Sequence, residues 1–144
     1  ARTGYKFLTI WLYREREELY SRINKRVLEM FDTGLISEMR ALLKQGLTQE
    51  HPGLQAIGYK EFFTSGENPY EMLLENEENS DFTDSDRFLV WVSEIKRQIQ
   101  RNTRHYAKRQ ITFFEPLADV FKIDADNFEL ISQKIKDFTS VYLT

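Results

Sequence analysis

A row of cations is the most pointed chemical signal in this sequence. Arg97, Arg101, Arg104 and Lys108 recur at intervals of four, three and four residues. At about 100° per residue they share one side of a helix. Phe88, Val92, Ile95, Ile99, Tyr106 and Phe113 fall on the opposite side as an apolar stripe. Such a ridge attracts nucleic-acid phosphates through Coulomb energy and counterion release. A merely solvated face has the same pattern, because charges ordinarily lie opposite a core. The scarcity of acidic partners here leans toward phosphate, since a solubilising face usually mixes signs.

Arg26 is a second signal. The spacing predicts it inside the apolar stripe of an earlier helix, among Leu19, Ile23 and Met30. A guanidinium there is costly without an anion, and Arg binds phosphates in bidentate fashion. Two readings stand: a pyrophosphate-binding Arg, or an Arg that is salt-bridged internally or snorkels to water. The run Gln55, Ala56, Ile57, Gly58, Tyr59 and Lys60 is a third. Gly58 in a helix costs about 1 kcal/mol relative to Ala, which invites a close approach of backbone or ligand. Gln55 could read a base edge, Tyr59 stack on a base and Lys60 meet a phosphate. The alternative is a helix kink packed in the core.

Other chemistry is absent from the pattern. No Gly-rich phosphate loop is present. His51 and His105 are too isolated to suggest a metal site, no nucleophile adjoins a base, and with no cysteine there is no thiolate ligand or disulfide. That composition permits a cytoplasmic location.

These residues need elements to position them. The predicted order is a strand over 5–13, helices over about 14–74, an acidic loop over 75–86, a long basic helix over 87–113, a strand over 119–124 and a terminal helix over 127–142. Within the helical stretch, Gly34 and Gly46 mark stops, 54–64 reads as helical, and Asn68 with Pro69 begins another helix. Ser85 or Asp86 is expected to cap the long helix, and Asp126 the last one. Two lone strands make a poor sheet, so they are expected to join a larger one completed by upstream chain.

The 144 residues fit one domain or a large piece of one, and 41% hydrophobic with 30% charged residues is ordinary globular composition. No apolar run is long enough for a membrane span, and no signal-peptide pattern appears. The net charge of -3 conceals an asymmetry. From Glu67 to Asp86 there are eight acidic residues and no basic one, whereas from Arg87 to Glu115 there are seven basic and two acidic. An averaged charge would wrongly argue against a nucleic-acid partner.

Three blocks resemble the tRNA dimethylallyltransferases. They are Arg22-Ile-Asn-Lys-Arg26-Val-Leu-Glu-Met30 with Gly34-Leu, Glu38 and Leu42-Leu43; Gln55-Ala-Ile-Gly-Tyr-Lys-Glu61; and Arg101-Asn-Thr-Arg-His-Tyr-Ala-Lys-Arg-Gln110 followed by Ile111-Thr-Phe-Phe114. The resemblance runs over about 5–144 and corresponds to the later part of that family's chain. It implies an α/β fold, here a predominantly helical segment that completes a P-loop NTPase-like core whose N-terminal part is absent. It also implies an activity: transfer of a dimethylallyl group from dimethylallyl diphosphate to the exocyclic amine of the adenine 3′ to the anticodon, with magnesium (Mg2+) assisting. That adenine must leave the stack to expose its amine.

The implied roles are specific. Arg26 matches the Arg that neutralises the donor diphosphate. Gln55, Ala56, Ile57, Gly58, Tyr59 and Lys60 match one tRNA-contacting segment. Lys108, Arg109, Gln110, Ile111 and Thr112 match another, supported by Arg104 and flanked by Arg101. The phosphate loop, the general base and the magnesium ligands would lie upstream, so this segment is expected to be inactive alone. The implied protein is cytoplasmic, likened to a monomer, and takes the tRNA anticodon arm as partner. Where the family commonly has Trp-Phe-Arg, this chain has Phe113-Phe114-Glu115, which weakens that end of a phosphate surface, and its acidic loop is long. Two other classes compete: a non-catalytic helical RNA-binding module, and an interaction protein whose helices pack on a partner and which shows no salt-sensitive RNA binding.

Overall fold

The computed structural model describes residues 4–75 and 85–142. The chain is mostly helical and divides into two compact units: Ala1–Leu19 with Lys108–Thr144, and Tyr20–Ala107. The elements run β1 (Thr9–Tyr13), α1 (Arg16–Asp32), α2 (Leu35–Lys44), a 3-10 turn (Pro52–Gln55), α3 (Glu61–Thr64), a π-helical turn (Glu71–Glu75), α4 (Asp86–Phe114), β2 (Val120–Asp124) and α5 (Phe128–Tyr142).

Local chemistry explains most boundaries. Gly34 stands between α1 and α2 with φ near +110°, a left-handed conformation that a Cβ disfavours. Asn68 accepts the Tyr70 N–H at 3.0 Å and opens the next helical turn, and Ser85 accepts the Phe88 N–H at 3.3 Å at the start of α4. Both are N-cap bonds to otherwise orphaned donors. The last helix is capped differently from expectation. Asn127 accepts the Leu130 N–H at 3.0 Å, while the Asp126 carboxylate takes both arms of the Arg14 guanidinium. A guanidinium outcompetes a backbone N–H for that carboxylate.

The unit Tyr20–Ala107 holds the main core. Val27 of α1, Leu35, Met39 and Leu43 of α2, Leu54, Phe62, Met72 and Leu73 pack with Phe88, Trp91, Ile95 and Ile99 of α4. Trp91 meets Phe62 edge-on with ring centroids 5.9 Å apart. The stripe predicted on α4 is correct at Phe88, Ile95 and Ile99 and misplaced further along. Tyr106 and Phe113 are exposed, and Trp91 is buried in their stead. A 29-residue helix outlasts the core it packs on, so the periodic pattern continues past the last neighbour. The π-helical turn lies against α2, where Arg40 donates to the Leu73 carbonyl at 2.9 Å.

In the other unit β1 and β2 pair in parallel, Thr9 opposite Val120 through Tyr13 opposite Asp124. Trp11 stacks on Phe114 at 6.2 Å, and Lys122 lies over the rings of Trp11 and Tyr13. The pairing begins at Thr9, so 5–8 are not strand as the sequence pattern predicted. Residues 54–64 are not one helix either. A 3-10 turn, a bend and the short α3 replace it, because Gly58 has φ near +110°, which no right-handed helix accommodates. The acidic loop predicted over 75–86 falls mostly outside the described residues. Among those described, no helix is long and apolar enough to cross a membrane.

Candidate functional site

Arg26 is exposed. This corrects the expectation of a guanidinium sunk in an apolar stripe. The inward face of α1 is centred on Val27, itself in the predicted stripe, with Met30 and Phe31 packed on the core, and Arg26 is one position from Val27. One position is about 100° of rotation, enough to carry Arg26 to the flank. There its charge keeps its water, which is cheaper than burial without an anion. Among the described residues no ion pair to Arg26 is present.

The cationic row is also less continuous than its spacing suggests. Arg97 is clasped by Glu94, Nε to Oε2 at 2.7 Å and Nη2 to Oε1 at 2.6 Å. The same bonds, joined by Gln98, hold the Glu94 carboxyl down to about 2. Arg104 is half-buried and donates from Nη1 to the Asn24 side-chain oxygen at 2.6 Å. Gln100 donates to the Asn24 backbone carbonyl at 3.3 Å, so this residue of α1 is gripped by two residues of α4. Arg104 therefore braces one helix on another with part of its fork. Arg101 and Lys108 are exposed, and of the predicted row they present their charge most openly.

Residues 55–60 form a turn held from several sides. The Gly58 N–H is donated to Glu61 Oε2 at 2.9 Å in a buried setting. Tyr59 donates its hydroxyl to Glu38 Oε1 at 2.7 Å, which raises the phenol above its ordinary range, with partial burial adding to the effect. Ile57 and Tyr59 pack against the core, so Tyr59 is not the open stacking platform that its type allows. Gln55 and Ala56 are exposed and Lys60 is half-exposed. Gln55 spends a donor on the Glu50 carbonyl at 3.2 Å.

Residues 108–112 belong to the other unit. Lys108, Arg109, Gln110 and Thr112 are exposed and Ile111 is half-buried. The Thr112 hydroxyl donates back to the Lys108 carbonyl at 3.0 Å, which satisfies it locally. Phe114 is engaged with Trp11, while Phe113 and Glu115 face water. Sequence patterning gave no role to Asn24, Glu61 or Asn102, although each lies in a recognisable block. Their signal was the polar residue type at a core-facing register.

Among the described residues no three His, Cys, Asp or Glu side chains converge to hold a metal ion. The described residues do not assemble a magnesium site.

Comparison with known proteins places this geometry. The model of a family described as IPP transferase matches residues 1–116. The tRNA dimethylallyltransferase of Halothermothrix orenii is 36% identical over 141 residues, covering 96% of this chain and 37% of the relative. That of Thermotoga maritima is 33% identical over 138 residues, covering 94% of this chain and 39% of the relative. The crystal structure of the full-length tRNA isopentenylpyrophosphate transferase of Bacillus halodurans superposes with a TM-score of 0.63 at 32% identity, over 96% of this chain and 40% of the other. The Staphylococcus epidermidis counterpart gives 0.63 at 28% identity, over 96% and 38%. The chain thus spans well under half the length of the relatives it matches.

Proposed function

The chain belongs to the IPP transferase family, and on that premise we propose that the protein carrying it prenylates tRNA. The dimethylallyl group of dimethylallyl diphosphate passes to the exocyclic amine of the adenine 3′ to the anticodon. The amine nitrogen bonds to the donor's first carbon as that carbon's bond to the diphosphate oxygen breaks. Diphosphate leaves with the electron pair, and the amine proton goes to a base that the resemblance puts outside this chain. One observation carries the reading: similarity to tRNA dimethylallyltransferases along almost the whole chain.

Within that reaction the chain's own residues have distinct tasks. Arg26 meets the donor diphosphate, its exposure leaving the fork available to an anion. Gln55 and Lys60 at the 55–60 turn, Arg101, and Lys108, Arg109 and Gln110 approach tRNA from their exposed positions. Arg104 braces α4. The parallel pairing of β1 and β2 supports membership of a larger α/β sheet of the P-loop type, since parallel strands rarely stand as an isolated pair. Magnesium belongs to that larger protein. Action on tRNA puts the enzyme in the cytoplasm, and we infer a monomer.

The direct test incubates the full-length protein with tRNA and labelled dimethylallyl diphosphate. Label is expected in tRNA at the adenine beside the anticodon, and this chain by itself should transfer none. Unlabelled tRNA from the full-length protein would end the reading. A filter-binding series against salt checks the interface. Arg101→Ala is expected to flatten the slope of log K against log salt by about 1. Arg97→Ala should change it less, because Glu94 already neutralises that side chain.

A further inference from the structure

We infer that Glu61 is a positioning residue for tRNA: its buried carboxylate locks the 55–60 turn to the basic helix α4, so that both segments meet RNA as one preformed surface. The inference rests on the proposed prenylation of tRNA.

Glu61 is fully buried, and among the described residues no other charged side chain is. Both of its oxygens are committed. Oε2 accepts the Gly58 N–H at 2.9 Å, and Oε1 accepts the Asn102 side-chain amide at 2.7 Å. One turn back along α4, Gln98 Oε1 accepts the Thr64 hydroxyl at 3.0 Å. The short helix α3 is therefore held to two successive turns of α4 by directional bonds. On the other side of the same turn, Tyr59 is held by Glu38.

Packing alone would have kept α3 in place with less desolvation, because an apolar residue of similar volume serves stability at least as well as a buried charge. What a carboxylate adds is geometry. It selects the left-handed Gly58 conformation by taking its N–H, and it fixes that backbone against one residue of α4. That residue, Asn102, adjoins Arg101 and lies two before Arg104. The distance and angle between the 55–60 turn and these arginines are thereby set before RNA arrives, which lowers the ordering cost of binding.

The test uses the full-length protein with Asn102→Asp, Glu61→Gln, the double variant, and the milder Asn102→Ser. Asn102→Asp sets acceptor against acceptor. It is expected to raise the KM for tRNA by about tenfold while the KM for dimethylallyl diphosphate stays within about twofold. Glu61→Gln should be nearly silent, because Asn102 can turn its amide to accept from the new one. The double variant should recover the tRNA KM, since Gln then donates to Asp. Asn102→Ser loses the bond without adding charge and should raise the tRNA KM by about threefold. It decides the matter should Asn102→Asp not fold. Equal rises in both KM values, an unchanged tRNA KM in Asn102→Ser, or no recovery in the double variant would overturn the positioning role. Failure of the unsubstituted protein to modify tRNA would instead bring down the prenylation reading itself.

Discussion

Arg26→Ala in the full-length protein is expected to lower kcat/KM for dimethylallyl diphosphate by roughly 100-fold while moving the melting temperature by no more than about 2 °C. The two halves of this expectation have separate grounds. The small thermal effect follows from exposure: Arg26 sits on the flank of α1, outside the buried face centred on Val27. The large kinetic effect follows from the partner proposed for it. Truncating one side of a desolvated, hydrogen-bonded charge pair costs about 2–5 kcal/mol, and roughly 100-fold corresponds to about 2.8 kcal/mol. Arg26→Lys keeps the charge and loses the planar fork, so its loss should lie between the two. The affinity for tRNA, measured without donor, should be unchanged. An Arg26→Ala enzyme with wild-type donor kinetics would remove Arg26 from the diphosphate site and leave it as a solvated cation.

Trp91 carries the second large effect, on stability. Its side chain is 2% exposed and wedged between Phe62 and Phe88. Trp91→Ala should destabilise the fold by about 3–5 kcal/mol, through lost burial and the cavity left behind. Trp91→Phe should cost only about 1 kcal/mol. The indole N–H is buried without a hydrogen-bond partner among the described residues. A phenyl ring removes that unsatisfied donor along with part of the volume, and the two changes oppose each other. Urea unfolding of both variants checks the pair. Equal destabilisation by Phe and Ala would show that the indole nitrogen has a partner after all.

Several features of the fold were legible because their causes are local. The bounds of α1 and α2 follow from apolar periodicity and from Gly34 between them. The starts near Asn68 and Ser85 follow from side chains that reach their own backbone two or three residues on. The features that local pattern does not reveal share a cause as well. Periodicity predicts a helix through 54–64 because it is blind to the φ of Gly58. It predicts Asp126 as a cap because the local pattern does not include Arg14, which lies 112 residues away in sequence and takes that carboxylate.

By itself the sequence determined the caps at Asn68 and Ser85, the cationic composition of α4 and the three blocks that mark the family. All of these are properties of residue type and short spacing. The tertiary structure alone decided which way Arg26 turns, that Asn24 occupies Arg104, and that Glu61 is buried between Gly58 and Asn102. These depend on how α1, α3 and α4 dock. Asn24 and Arg104 are 80 residues apart, and a rotation of one helix position, about 100°, exchanges a buried side chain for a solvated one. Local pattern fixes the faces of a helix to within that rotation, and only packing against distant chain removes the remaining freedom.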